Sequence, residues 1–146
     1  MAERQVNKSI VIGTIGADAH MIGGWVLAKA FENEGFKVAF LGAVVPQQDF
    51  INAAIEVDAD AILVSSMYGM GLLDCEGLRD KCIEAGLDDI IIYVGGTVAA
   101  PLELERNWPD IERRFREIGV DRVFKNTCTA EEAVAMLKAD LGVKEI

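Results

Sequence analysis

His20 is the sole histidine of the chain, and a carboxylate, Asp18, stands two residues before it in the stretch Gly16-Ala17-Asp18-Ala19-His20-Met21-Ile22-Gly23-Gly24. A neutral imidazole offers one lone pair to a metal, and its other ring nitrogen must then carry the proton. A carboxylate accepting that N–H fixes the tautomer and raises the basicity of the ligating nitrogen. Asp18 is placed to supply it. Taken alone, the pair has a blander reading, in which Asp18 caps the following helix and His20 is an incidental loop residue. One histidine and three dispersed cysteines, Cys75, Cys82 and Cys128, cannot assemble a standard zinc site. Cys75, Leu78 and Cys82 share one helical face, so these two thiols read as core rather than as nucleophiles. Ser65 at a strand end and Gly95-Gly96 after another are weak signals singly. Small and hydroxyl residues favour such turns for local reasons.

These residues must be positioned by the elements around them. Short β-branched runs alternate with segments of helical period. Ile10-Val11-Ile12-Gly13-Thr14 is a strand, followed by a glycine-rich loop and a helix with an apolar face of Val26, Leu27, Ala30 and Phe31, stopped at Gly35. Residues 37–41 form a second strand. Pro46 suits the first turn of a helix whose apolar face is Phe50, Ile51, Ala54 and Ile55. Ala61-Ile62-Leu63-Val64-Ser65 is the third strand, followed by one helix carrying Cys75, Leu78 and Cys82 to Gly86. Ile90-Ile91-Ile92-Tyr93-Val94 is the fourth strand. A helix marked by Ile111, Phe115 and Ile118 ends at Gly119, and a short strand follows near Arg122-Val123-Phe124. Thr129 with Glu132 makes a capping box for the last helix, with Ala133, Val134 and Leu137 on its core side.

Continuous apolar strands separated by amphipathic helices imply a parallel sheet covered on both faces. Five such units in one domain spanning residues 1–146 predict a doubly wound, flavodoxin-like α/β fold with strand order 2-1-3-4-5. Ligands of open parallel sheets bind beyond the carboxyl ends of the strands, where strand order reverses. The loops after strands one, three and four (Gly16 to Gly24, Ser65-Ser66-Met67-Tyr68-Gly69 and Gly95-Gly96-Thr97) converge on that edge.

The chain is 51% hydrophobic, with a formal net charge of −10. An acidic surface argues against non-specific binding to nucleic acid or anionic membrane. The amino terminus has no apolar signal region, no run approaches the roughly 20 apolar residues of a membrane span, and the cysteines form no disulfide framework. A cytoplasmic protein is expected.

Together the motifs resemble the cobalamin-binding domains that hold their cofactor base-off and histidine-on. Those carry Asp-x-His-x-x-Gly, then Ser-x-Leu, then Gly-Gly; here the elements are Asp18-Ala19-His20-Met21-Ile22-Gly23, Ser65-Ser66-Met67 and Gly95-Gly96. Met67 departs from the usual leucine, a near-isosteric apolar change. The stretches Ala59-Asp60-Ala61-Ile62-Leu63-Val64-Ser65-Ser66-Met67-Tyr68-Gly69 and Asp74-Cys75-Glu76-Gly77-Leu78-Arg79 resemble the small subunits of glutamate mutases in particular. The segment 97–107 looks longer than in that family.

The resemblance implies that His20 replaces the cofactor's own dimethylbenzimidazole below cobalt and that Asp18 orients it. The displaced nucleotide tail then enters a slot between the first helix and the sheet. Ser65 hydrogen-bonds its base, and Gly95 and Gly96 admit its close approach. Ala17, Ala19, Met21 and Gly23 from the first loop join the cofactor contacts, as do Ser66, Met67 and Thr97 from the later ones. No catalytic side chain is assigned, since the cofactor carries the chemistry. The implied cofactor is adenosylcobalamin, and the implied reaction interconverts L-glutamate and threo-3-methylaspartate. The implied partner is a separate large catalytic subunit, a barrel that holds the substrate. Other classes differ in checkable ways. Corrinoid methyl carriers place a helical cap before the domain, and only about eight residues precede the first strand here. A phosphoacceptor receiver wants an aspartate where this chain has Ser65. A flavodoxin wants a hydroxyl-rich first loop. A mutase acting on another skeleton, such as 2-methyleneglutarate, fits the same motifs.

Overall fold

Branched apolar side chains dominate the central strands, and the backbone polar groups of such runs are satisfied by a sheet ladder. The computed structural model describes residues 7–16, 22–66, 70–96, 98, 107–125 and 127–143. It has strands β1 (Ser9–Thr14), β2 (Lys37–Phe40), β3 (Ala61–Ser65), β4 (Ile91–Gly95) and β5 (Arg122–Val123). The helices are α1 (Ile22–Asn33), α2 (Gln47–Val57), α3 (Gly71–Cys75), α4 (Leu78–Glu84), α5 (Trp108–Glu117) and α6 (Ala130–Asp140). All strand pairs are parallel, in the order β2-β1-β3-β4-β5. This is the predicted doubly wound topology.

The two-residue period of the strands sorts their side chains into two cores. Val11, Ile62, Val64, Ile92 and Val94 face α2, α3, α4 and α5, where Phe50, Leu78 and Phe115 are almost wholly buried. Ile10, Ile12, Leu63 and Tyr93 face α1 and α6, packed on Phe31, Val134 and Leu137. Among the described residues, four helices thus cover one face and two cover the other. Register places Thr14, Ser65 and Gly95 in one row across the three central strands. By the same period, that row faces the sparsely covered side.

Several helical details differ from the periodic reading. The buried face of α1 is Gly24, Ala28 and Phe31, while Val26 is 49% exposed. Glycine rather than a large side chain makes that face, because a Cβ on Gly24 would stand 3.2 Å from the Phe40 ring. Ile55 on α2 is 54% exposed, and Pro46 is the N-cap rather than a first-turn residue. The single helix expected across Cys75, Leu78 and Cys82 is two, α3 and α4, parted by Gly77 in the left-handed region. All three side chains are nonetheless buried. Thr129 caps α6 by accepting from the Glu132 amide at 3.1 Å, but the Glu132 carboxylate meets the Thr129 hydroxyl, so half of the capping box forms.

One brace joins the amino-terminal ends of β4 and β5. The Arg79 guanidinium donates to the carbonyls of Gly119 (3.0 Å) and Ile90 (2.6 Å) and to Asp121 Oδ2 (2.7 Å). The same Asp121 oxygen accepts from the Ile92 amide. Gly119 lies directly under the arginine stem, where a Cβ would approach Arg79 Cβ to 2.5 Å.

A candidate cofactor site at the carboxyl ends of the central strands

Between α1 and α6 lies a cavity of about 330 Å³ over β3 and β4. This is at the small end of ligand pockets, roughly 300–1,000 Å³. Leu63, Ser65, Tyr93 and Gly95 contribute from the strands; Gly23, Val26 and Leu27 line it from α1; Phe124, Cys128 and Ala133 close the far wall. The walls are mainly apolar, and Ser65 puts one hydroxyl among them. That hydroxyl has no hydrogen-bond partner among the described residues, although Ser65 is only 7% exposed. Its backbone carbonyl accepts from the Ile15 amide at 3.1 Å, which extends the ladder past β1.

Missing side chains shape the entrance. A Cβ on Gly23 would lie 4.0 Å from Ser65 Oγ, so any larger residue there would narrow the space above the serine. A Cβ on Gly95 would contact Phe124 at 3.6 Å and fill the floor between them. Gly96 has φ of +103°, a conformation that glycine adopts freely.

Of the predicted contacts, Gly23, Ser65, Gly95 and Gly96 line this one cavity. Ser66 does not. It is fully buried on the opposite face of the sheet, beside Gly71 and Phe115, and its hydroxyl has no partner among the described residues. One residue of register sends neighbouring side chains to opposite faces, which separates the two serines. Ala17, Asp18, Ala19, His20, Met21, Met67 and Thr97 lie outside the described residues, as does most of the segment 97–107. The described residues flanking 17–21 are Gly16, whose amide donates to the Val45 carbonyl at 2.8 Å, and Ile22, next to Gly23.

Tyr93, Phe124, Cys128 and Thr129 line the cavity without having been singled out in the sequence. The strand period at Tyr93 and the position of residues 124–129 at a strand's carboxyl end are the signals that could have found them. Tyr93 is a fixed wall. Its phenol donates to Asp140, which also takes Arg122 Nε at 2.7 Å and Nη2 at 2.9 Å, and its ring meets Phe124 edge-on at 5.1 Å. Burial and then the Asp140 contact push the Tyr93 phenol above its usual range, while Arg122 holds the Asp140 carboxyl below its own. The Cys128 thiol is also raised, first by burial and then by Glu132, so it is no ready thiolate. Burial, reinforced by Asp74, pushes Cys75 up to about 12, in keeping with a core thiol.

Several large apolar side chains surround the same edge of the sheet. Ile22 is 79% exposed, Val44 56%, Met70 43% and Leu73 60%. Large exposed apolar side chains near one edge suit a surface that something covers.

Comparison with known proteins now gives the class. A protein-family model described as B12 binding domain matches residues 8–135. The chain is 50% identical over 137 residues to the glutamate mutase sigma subunit of Clostridium tetani, covering 94% of this chain and 98% of that protein. It is 45% identical over 134 residues to the sigma subunit of Escherichia coli O157:H7, covering 92% and 88%. Among solved structures, a cobalamin-binding protein of Desulfitobacterium hafniense superposes with a TM-score of 0.72 at 23% identity, over 90% of this chain and 58% of that one. The Methanosarcina barkeri monomethylamine corrinoid protein gives 0.69 at 20% identity, over 94% and 61%. These two likenesses carry the fold alone. The chain therefore belongs to the B12 binding domain family and, more narrowly, to the glutamate mutase sigma subunits.

Proposed function

We propose that this chain is the cobalamin-holding half of a cytoplasmic glutamate mutase. It binds adenosylcobalamin with His20 below cobalt and the nucleotide tail in the cavity between α1 and α6. The observation that carries this reading is the cavity itself. It is mainly apolar, opens at the carboxyl ends of the central strands, is edged by Gly23 and Gly95, and holds the Ser65 hydroxyl, which has no partner among the described residues. A flat aromatic base with one accepting ring nitrogen needs that combination: close backbone approach, apolar walls and one placed polar group.

When bound, the cofactor supplies the radical chemistry. The residues of this chain bind and orient it. Asp18 accepts the outer N–H of His20 and so presents the other nitrogen as a lone pair. Ser65 donates to the base, and the Tyr93–Asp140–Arg122 set keeps the cavity wall rigid. The exposed apolar ring of Ile22, Val44, Met70 and Leu73 suits a surface shared with the corrin and a large partner subunit. That partner, a barrel holding the substrate, would enclose the other face of the corrin and interconvert L-glutamate and threo-3-methylaspartate.

Assembly tests the proposal. The purified chain alone is expected to show no glutamate rearrangement with adenosylcobalamin, and addition of the large subunit is expected to restore turnover. Rearrangement by the chain alone would overturn the two-subunit reading. Ser65→Leu tests the cavity. Leucine fills the floor beneath Gly23, so cobalamin binding in the presence of the large subunit is expected to fall by about tenfold or more, from a lost hydroxyl partner and a steric clash. Unchanged binding, with an unchanged circular-dichroism spectrum, would place the tail elsewhere.

A further inference from the structure

The chain carries a net charge of −10, yet among the described residues Lys125 is the one charged side chain lining the cavity. Lys125 is exposed at the far rim, and its Nζ stands 5.1 Å from the centroid of the Trp108 ring. No carboxylate among the described residues pairs with it. Lys138, by contrast, is neutralised by Glu34 at 2.9 Å. The interior of the cavity is apolar at Leu63, Tyr93 and Ala133. Polarity therefore changes from a mainly apolar interior holding the Ser65 hydroxyl to a cationic rim. The complementary ligand is an aromatic base followed outward by an anion. The tail of cobalamin has that order: dimethylbenzimidazole at its end, then ribose, then a phosphodiester leading back to the corrin.

We propose that Lys125 binds the phosphodiester of the cofactor's tail at the rim of the cavity. The proposal rests on reading the cavity as the slot for that tail. A cation at the mouth of an apolar slot attracts an anion that the slot itself cannot hold. It contributes affinity and no chemistry, so it is a binding residue only.

The test uses the full chain, labelled with nitrogen-15, and two probes followed by amide chemical shifts. One probe is the dimethylbenzimidazole ribonucleoside of the tail. The other is its 3′-phosphate as the methyl diester, which carries the same single charge as the group in cobalamin. The wild type is expected to bind the diester about three- to tenfold more tightly than the nucleoside. Lys125→Gln is expected to abolish that preference while leaving nucleoside binding unchanged, and Lys125→Arg to keep it. Rising salt should erode the preference in the wild type and have little effect in Lys125→Gln. A preference that survives intact in Lys125→Gln overturns the role of Lys125 and leaves the tail cavity standing. If neither probe perturbs the amides of Gly95, Gly96 and Thr129, the cavity is not the tail's slot, and both readings fall together.

Discussion

A chain carrying His20→Gly is expected to fold as the wild type does and to lose the nitrogen ligand below cobalt. In sequence His20 falls between the end of β1 at Thr14 and the start of α1 at Ile22, and a substitution between two elements is expected to cost little apolar burial. With the large subunit present, cob(II)alamin bound to nitrogen-15-labelled wild type should show two-line superhyperfine splitting in paramagnetic resonance. Two lines are the signature of an axial nitrogen-15, which only the protein can supply. In His20→Gly that splitting should vanish and turnover should fall by several orders of magnitude. Asp18→Asn should be milder, roughly 10- to 100-fold, because an amide oxygen still accepts the imidazole proton but without charge. Acid should weaken binding as well. The ligating imidazole must be neutral, so protonation competes with cobalt as pH falls below the ordinary histidine range of about 6.5. Three-line splitting in the labelled wild type would identify the cofactor's own base as the ligand and exclude His20.

The second large effect concerns stability. Arg79→Leu is expected to destabilise the fold by about 2–4 kcal/mol, because it strands the carbonyls of Ile90 and Gly119 and releases Asp121. The arginine side chain is only 17% exposed, so water cannot fully replace what it gives, whereas the half-exposed Asp121 can rehydrate. Arg79→Lys should recover little of the loss, since one ammonium cannot span three acceptors as a planar fork does. Urea unfolding would show a lowered midpoint with an unchanged slope. Because the brace ties β4 to β5, cobalamin binding should weaken in parallel through the wall formed by Tyr93 and Phe124. A change in stability within 0.5 kcal/mol, the range of ordinary surface substitutions, would show that the brace contributes little.

The sequence by itself determined the order of elements, the parallel sheet and the strand order. Each rests on local physics: β-branched runs such as Ile10-Val11-Ile12 and Ile90-Ile91-Ile92, glycines that stop helices, and the rule that such units wind doubly. It also brought Ser65, Gly95 and Gly23 to one edge, because strand ends are readable once the strands are. The tertiary structure decided what neighbours do to one another. Val26 and Ile55 carry apolar side chains at helical spacing, yet both are exposed, because the approach of α1 is set by Gly24 against Phe40 and burial depends on what lies opposite. Ser65 and Ser66 are alike in sequence and opposite in space, since a strand turns each residue half a revolution from the last. The cavity's far wall at Phe124, Lys125, Cys128 and Thr129 comes from the other end of the chain, and only its place after the last strand hints at it. Contacts between residues some fifty to a hundred positions apart, Tyr93 to Asp140 or Glu34 to Lys138, are fixed by how the layers stack rather than by the propensities of either segment alone.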